Sequence, residues 1–230
     1  MTDTPMTDVF VDGSCITRHG DSAAGFGVWF GPYHELNWNC PVTDNQDIRG
    51  RDGGHTQSAQ RAEIQAAKSA IRIARREKIL GLRIHSDSQY VLHGITQDGS
   101  ERWAHNGWVT SRGRPIVNKG DWISLDDEIF KYESCGGIIE WKYVKAHSGN
   151  RGNDNADRLA KWAAEASYHF AKFLAASRCP HRNCGCAGPN ATDAQKRNLL
   201  KLTEGSLSPG RKHLFRNSWK TDKSYFHNKI

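Results

Sequence analysis

Four acidic residues each lie in a short and distinctive motif: Asp12 in VFVDGSC, Glu63 in QRAEIQAA, Asp87 in RIHSDSQYV and Asp157 in HSGNRGNDNADRLA. A single carboxylate among 25 acidic residues indicates little, because most are solvated, cap helices or pair with a nearby base. Four carboxylates that converge on one point would form the oxygen-rich cage that hard cations such as Mg2+ bind. Such a cage predicts metal-dependent cleavage of nucleic acid.

Two of these residues follow predicted strands. Asp12 comes after the apolar run 9–11 and before a Gly-Ser pair, the pattern of a buried strand that ends in a turn. Asp87 follows a short strand at 82–86 and precedes the cap of the next helix. The sequence therefore predicts two strand ends that each present a carboxylate.

The other two residues lie near predicted helix starts. Glu63 is early in a helix whose alanines recur at three- and four-residue steps, which predicts a face packed on a sheet. Asp157 is predicted to open the last helix, with Asn153 and Asp154 as candidate caps. Strand ends and helix starts of one alternating fold can meet at a single point, which favours convergence.

Each carboxylate also fits a simpler role. Glu63 is within reach of Arg61 or Lys68 along its helix, Asp87 suits an Asx turn, and Asp157 suits a helix start. These roles are the expected ones for each residue taken alone. The joint pattern of all four favours a shared site.

A family resemblance is carried by six segments in this order: VFVDGSC, QRAEI, SDSQYV, HNGWVTS, VNK and HSGNRGNDNADRLA. Together they resemble ribonuclease H of the type 1 class found in eukaryotes and bacteria, over roughly residues 8–168. The resemblance implies an α/β fold with a five-stranded mixed sheet flanked by helices. The residue pattern agrees, with strands predicted at 9–14, 25–30, 35–41, 82–86 and 137–144 and helices at about 58–78, after 88, 122–132 and 155–169.

The resemblance also implies a reaction. It predicts hydrolysis of the RNA strand of an RNA/DNA hybrid, with two Mg2+ ions (or Mn2+) as cofactors and 5'-phosphate and 3'-hydroxyl products. Asp12 would bridge the two ions, Glu63 and Asp87 would ligate one of them, and Asp157 would ligate the other. His147, in a glycine-flanked stretch, would move protons or help the product leave, although it also suits a solvated loop.

Substrate-binding residues follow from the same resemblance. The RNA side is assigned to Gly13, Ser14, Cys15 and Gln60, where the 2'-hydroxyl is sensed. A DNA phosphate is assigned to Ser58 and Asn118, and the DNA sugars to a channel formed by Tyr90, Trp103, Trp108 and Ser111. The tryptophans equally suit a core. Ala59 and Thr56 depart from the family, which commonly has Asn and Arg there.

Charge divides the chain unevenly. Residues 170–230 contain twelve Lys or Arg and three Asp or Glu, a net of +9, and the whole chain carries +7, so the rest carries −2. We predict a short tail at 1–7, a catalytic domain at 8–170 and a basic extension at 171–230 that aids binding to phosphate backbones. The aromatic residues of the extension equally suit docking onto the core, or the extension is disordered.

A second cluster of chemical groups lies in the extension. Cys179, His181, Cys184 and Cys186 are possible zinc ligands, although their spacing is compressed and they equally suit reduced thiols in a linker. The remaining cysteines are scattered, which suits a reducing compartment. The first residues lack the features of a secretory signal or transit peptide, so we expect an intracellular protein, in the cytoplasm or nucleus.

The partner is predicted to be an RNA/DNA hybrid and not a membrane, because no run approaches the ~20 apolar residues of a span. The catalytic domain is expected to be monomeric. Two other functions stay open: a catalytically silent hybrid or RNA binder on the same fold, and another nuclease of the superfamily, such as a 3' to 5' exonuclease. The four carboxylates with His147 argue against the first, and the QRAE and HNGW segments argue against the second.

Overall fold

The computed structural model describes residues 4–43, 57–96 and 103–177. Its strands are β1 (Met6–Arg18), β2 (Asp21–Trp29), β3 (Trp38–Pro41), β4 (Gly81–Ser86) and β5 (Ile138–Tyr143). Its helices are α1 (Ala59–Arg76), α2 (Gln89–Thr96), α3 (Lys119–Ser134) and α4 (Arg151–Ser177). The predicted α/β class and five-stranded sheet are confirmed.

The chain divides into two compact units, residues 1–168 and 169–230. The architecture described below is that of the first unit. The zinc prediction and nearly all of the basic extension lie outside the described residues, so the boundary expected near 170 stays a prediction. No helix among the described residues combines the length and apolar character that a membrane crossing requires.

The sheet has the strand order β3-β2-β1-β4-β5, with β1 at its centre. Strands β1, β2 and β3 pair antiparallel, whereas β4 lies parallel to both β1 and β5. The sheet is therefore mixed, as predicted. Because β1 and β4 are parallel neighbours, the residues that leave them at the same end lie side by side.

Helix α1 covers one face of the sheet with a stripe of small side chains. Ala62, Ala66, Ala70 and Ala74 are fully buried, as the three- and four-residue spacing predicted. A Cβ at Gly13 of β1 would collide with the backbone of this helix, so the glycine permits the close approach. The small residues on both sides set the short distance between α1 and β1.

Helix α4 covers the other face, again through small residues. Gly25 and Gly27 of β2 leave no room for a Cβ, because the backbone of α4 lies directly over them at Ala156 and at Ala163 and Ala164. Asp12 pairs with Gly27 across the β1–β2 ladder. The start of α4 is thereby held above the carboxylate of Asp12.

Several predicted element boundaries are wrong. Strand β1 extends from Met6 to Arg18 and not from 9 to 14, so no turn follows Asp12, and β2 begins at Asp21 and not at 25. Strand β3 begins at Trp38 and not at 35, because the Asn37 amide closes a turn by accepting from Phe30 N at 2.7 Å and donating to Gly31 O at 2.7 Å. Helix α4 begins at Arg151 and not at 155. The sequence did not indicate this start, because Gly149 and Gly152 resemble loop residues.

The cap of α4 also differs from the prediction of Asn153 or Asp154. The Asn150 side chain accepts from Gly152 N at 2.9 Å and from Asn153 N at 3.2 Å, which satisfies the first helical amides. Gly152 lies inside the helix, and this position requires glycine because a Cβ there would collide with the ring of Phe10. Asp157 is consequently the seventh residue of α4 and does not open it.

A buried ionic network joins α1 to α3. Arg61 Nε donates to Asp121 Oδ2 at 2.6 Å, and Gln65 Nε2 donates to Asp121 Oδ1 at 2.8 Å. Both side chains also donate to the carbonyl of Thr43, which follows β3. A buried pair with these added hydrogen bonds fixes orientation more than it adds stability. It holds the first turn of α1, where Glu63 lies.

Candidate active site

Asp12 and Asp87 meet because their strands are in register. The last pair of the β1–β4 ladder is Val11 with Ser86, so the next residue of each strand is one of the two aspartates. Asp12 is 8% exposed, and its Oδ1 accepts from Gly13 N at 2.8 Å. The two carboxylates are therefore neighbours, as predicted, but only Asp87 follows a strand end. Asp12 lies within β1, which continues to Arg18, and it is the first residue beyond the β1–β4 ladder.

Glu63 reaches the same region from the opposite face of the sheet. Its backbone nitrogen is the atom closest to where a Gly13 Cβ would lie, which places the first turn of α1 against β1. Glu63 Oε2 accepts a short hydrogen bond of 2.5 Å from Ser88 Oγ. Ser88 also accepts from Val91 N at 3.2 Å, so one hydroxyl both caps α2 and orients Glu63.

Asp157 approaches from α4. Its neighbour Ala156 lies over Gly27, the β2 partner of Asp12. Asp157 Oδ2 accepts from Lys161 Nζ at 2.8 Å, one helical turn further on. This local ion pair is partly exposed, and it leaves Asp157 near enough to act electrostatically on Asp12.

Asp12 lies within the electrostatic influence of the other three carboxylates. Burial, followed by the charge of Asp87, raises the pKa of Asp12 to about 8, and Asp157 and Glu63 add smaller contributions. Burial, with the charge of Asp87, also raises the pKa of Glu63, against the hydrogen bond from Ser88. A cluster of like charges that resists ionisation is stabilised by a bound cation.

Asn153 is a part of this site that the sequence placed only as a cap. Its Nδ2 donates to Asp87 Oδ2 at 2.8 Å, and the residue is 3% exposed. Its Oδ1 is buried and has no hydrogen-bond partner within the part of the chain that the structure describes. A buried amide oxygen of this kind has room for a donor such as an ordered water.

The donor set suits a hard divalent cation, because the cluster offers only carboxylate oxygens and one unpaired amide oxygen. Within the described residues, however, no three histidine, cysteine, aspartate or glutamate side chains converge closely enough to hold one ion. The four carboxylates therefore interact electrostatically, but no three of them converge on one ion position. Ligation by all four stays a prediction.

His147 lies in the turn between β5 and α4. It is exposed, with a φ of 52°, and Gly149 two residues later has a φ of 80°. Ser148 Oγ donates to Lys145 O at 2.7 Å within the same turn. The turn leads into the helix that carries Asn153 and Asp157, so His147 is close in sequence to two residues of the site. Its catalytic role stays a prediction.

The residues assigned to the RNA strand lie on β1 and α1. Gly13, Ser14 and Cys15 follow Asp12 directly along β1, and Gln60 is exposed in the first turn of α1. Cys15 Sγ donates to Gln57 O at 3.5 Å, and burial raises the pKa of its thiol. These positions adjoin Asp12 along β1 and lie at the start of α1, and their contact with RNA stays a prediction.

The residues assigned to the DNA sugars lie around α2 and the segment before α3. Trp103 packs against Trp108 with ring centroids 6.3 Å apart and against Trp122 at 5.3 Å. Both Trp103 and Trp108 are half-buried and pack against the core, as one of the two alternatives predicted, and their contact with DNA sugars stays a prediction. Ser111 is exposed in a turn.

The residues assigned to the DNA phosphate differ in their surroundings. Ser58 Oγ accepts from Arg61 N at 3.3 Å and thus caps α1. Asn118 precedes α3 in the left-handed conformation, with no side-chain capping bond. Its amide instead donates to the Tyr90 hydroxyl at 3.3 Å. Whether either residue binds phosphate stays a prediction.

Sequence reasoning missed three residues of the site: Ser88, Trp122 and Asn153. The short SDS motif was a signal for Ser88, since a serine before a helix is a preferred cap. The partners of the other two are 32 and 66 residues away in the chain, and local spacing carries no information about them.

Comparisons with known proteins agree with this geometry. The profile of the RNase H family matches residues 4–165. Ribonuclease H1 of Mus musculus is 38% identical over 160 residues, which are 69% of this chain and 50% of the mouse protein. Ribonuclease H of Idiomarina loihiensis is 31% identical over 165 residues, which are 71% of this chain and 91% of the bacterial protein. The chain thus spans half the length of the mouse relative.

A solved structure supports the fold. LC9-RNase H1, described as a type 1 RNase H with the type 2 active-site motif, superposes with a TM-score of 0.53 at 21% identity. The match covers 73% of this chain and 75% of the other. Members of the matched family generally use divalent metal ions, which agrees with the chemistry of the carboxylate cluster.

Proposed function

The chain belongs to the RNase H family, and from that premise we propose that it is an endonuclease hydrolysing the RNA strand of RNA/DNA hybrids. The observation that carries the proposal is the field at Asp12, whose pKa is raised to about 8 by burial and by the surrounding carboxylates. The metal-free cluster is electrostatically unfavourable, as expected for a site built around cations.

Two Mg2+ ions are the proposed cofactors. Asp12, Glu63, Asp87 and Asp157 would hold them. When bound, such ions make a water nucleophilic and stabilise the charge on the leaving 3' oxygen. The protein residues orient and shield: Ser88 fixes Glu63, Asn153 fixes Asp87, and the burial of Asp12 excludes bulk water. No protein nucleophile is required, and the products would be a 5'-phosphate and a 3'-hydroxyl.

The RNA strand is proposed to lie along Gly13, Ser14, Cys15 and Gln60. An enzyme that cuts only RNA must sense the 2'-hydroxyl, which donates and accepts hydrogen bonds. Backbone groups of β1 beyond its ladder with β4, together with exposed Gln60 in the first turn of α1, would supply both kinds of partner. The direct succession of Gly13, Ser14 and Cys15 after Asp12 along β1 supports a sensing surface beside the proposed cutting site.

The DNA strand is proposed to follow the half-buried aromatic residues around α2. Faces of this kind pack against deoxyribose without reading base sequence. Asn118 would contribute a phosphate contact and Trp103 and Trp108 the wall of the channel. The basic residues at 170–230 would add sequence-independent attraction to phosphate, since counterion release dominates such binding.

The testing experiment incubates the purified full chain and Mg2+ with an RNA/DNA hybrid whose ends are blocked. The same RNA is presented single-stranded and in an RNA duplex, and each substrate is also tested in EDTA. Internal cutting of the RNA strand of the hybrid alone, with 5'-phosphate products, would support the proposal. Binding without cutting would favour a silent hybrid binder, and cutting that requires a free 3' end would favour an exonuclease.

A further inference from the structure

The hydroxyl of Tyr90 makes three hydrogen bonds. It accepts from Asn118 Nδ2 at 3.3 Å and from Trp122 Nε1 at 3.1 Å, and it donates to Val117 O at 3.2 Å. A phenolic hydroxyl has one proton and two acceptor lone pairs, so its capacity is fully used. A hydroxyl whose donor and acceptor sites are all used in hydrogen bonds has little rotational freedom. The hydroxyl is thus a fixed anchor between α2 and the start of α3.

Asn118 is held by this anchor in an uncommon way. Its backbone is left-handed, with φ 59° and ψ 29°, and its carbonyl accepts from Asp121 N at 2.9 Å and from Trp122 N at 3.1 Å. An asparagine before a helix usually uses its side chain to cap the helix. Here the side chain makes no capping bond and turns to Tyr90.

We propose that Tyr90 is a positioning residue, whose hydroxyl holds the Asn118 amide so that its second proton donates to a backbone phosphate of the DNA strand. The inference rests on the proposed function and deepens it. An amide nitrogen carries two protons, and among the described residues one of them is taken by Tyr90. A donor held in advance loses less entropy when it binds its ligand.

The same anchor joins the phosphate contact to the aromatic wall. The ring of Tyr90 lies 5.4 Å from that of Trp122, which in turn lies 5.3 Å from that of Trp103. Trp122 is 1% exposed and cannot move independently of the core. The spacing between the phosphate contact and the channel for the sugars is therefore set by the side chains that meet at Tyr90.

Tyr90→Phe tests the inference because it deletes the anchor and keeps the ring. In the full chain, we expect the KM for hybrid cleavage and the Kd measured in EDTA to rise about 5- to 10-fold, with kcat within about twofold of wild type. Tyr132→Phe is the matched control. Its hydroxyl also anchors two elements, donating to Ile79 O at 2.8 Å, and the residue is buried in α3, with no proposed substrate contact as its partner. This control should lower stability and leave KM unchanged.

A double-mutant cycle separates positioning from general loosening. If Tyr90 acts through Asn118, Tyr90→Phe should raise KM by less than about 1.5-fold in an Asn118→Ala background. Equal effects of Tyr90→Phe in both backgrounds would overturn the inference. An unchanged KM for Asn118→Ala alone would also overturn it, whether or not Tyr90→Phe folds.

Failure of the proposed function and failure of the positioning role of Tyr90 give different experimental results. If the wild-type chain neither binds nor cuts hybrids, the proposed function and this inference both fall. If wild type cuts hybrids and Tyr90→Phe does so with the same KM, only the positioning role of Tyr90 falls.

Discussion

Asn153 Nδ2 on α4 donates at 2.8 Å to Oδ2 of Asp87, which directly follows β4, and the buried Oδ1 of the same amide has no hydrogen-bond partner among the described residues. The bond connects the helix that carries Asp157 to the strand end that carries Asp87. One amide therefore sets the relative position of two of the four carboxylates. Asn153 is a positioning residue for the proposed metal site.

Asn153→Ala should lower cleavage activity by about 10- to 100-fold, the usual effect of removing a side chain that orients a metal ligand. The Mg2+ concentration for half-maximal rate should rise, because Asp87 is no longer held. Asn155→Ala is the matched control, since Asn155 makes a local bond, donating to Arg151 O at 2.6 Å on the same helix. Equal activities of the two variants would contradict the role of Asn153.

Asp12→Asn should stabilise the metal-free protein at alkaline pH. The folded-state pKa of Asp12 is about 8, above the ordinary 3.8, so its contribution to stability is fully present below pH 3.8 and is lost as the pH rises through 8. Asparagine carries no such penalty. Urea unfolding at pH 9 in EDTA should show a gain of about 2–4 kcal/mol, which shrinks towards pH 5. A gain that is the same at both pH values would contradict the buried-charge explanation.

Gly13→Ala should separate α1 from β1. The added Cβ would collide with the backbone of Ala59 and Glu63, which a helix cannot relieve by rotating a side chain. We expect a loss of about 1–3 kcal/mol in unfolding free energy and a larger relative loss of activity, because Glu63 moves away from Asp12. Thermal unfolding and cleavage assays on the same sample compare the two losses. A variant with wild-type stability would contradict the packing described here.

Removal of residues 178–230 should weaken hybrid binding and flatten its salt dependence. The segment contains eleven Lys or Arg and three Asp or Glu, and each cation that contacts phosphate steepens the decline of binding with salt. Titrations between 50 and 200 mM salt, about the range where this effect is large, measure the slope. An identical slope for the full and shortened chains would mean that the segment makes no phosphate contacts.

The sequence predicted the elements whose side chains alternate or recur regularly. The strand of Val9 and Val11 and the alanine face of α1 were predicted because their burial follows the geometry of each element. The start of α4 was missed because Gly152 resembles a loop residue, and its place inside the helix depends on the distant ring of Phe10. Spacing along the chain does not report such contacts.

The candidate site was predictable to the same degree. Asp87 and Glu63 follow from a strand end and a helix start, which local pattern reveals. Asp12 was predicted at a strand end, but β1 continues past it to Arg18, and its place beside Asp87 depends on where the ladder with β4 stops. The roles of Asn153 and of the Tyr90 hydroxyl depend on pairs far apart in sequence, and the pKa of Asp12 depends on burial and on three other carboxylates. These properties arise only when the chain has folded.

The most direct test of the central claim is a Mg2+ titration of RNA-strand cleavage in an end-blocked hybrid, comparing wild type, Asp12→Asn and Asp8→Asn. Asp8 is a matched control, because it lies on the same strand and is exposed, paired with His85 at 2.7 Å. We predict Mg2+-dependent internal cutting by wild type and Asp8→Asn, and a loss of at least about 1000-fold for Asp12→Asn at every Mg2+ concentration. Cleavage by Asp12→Asn at the wild-type rate would contradict the assignment of the carboxylate cluster as the catalytic metal site.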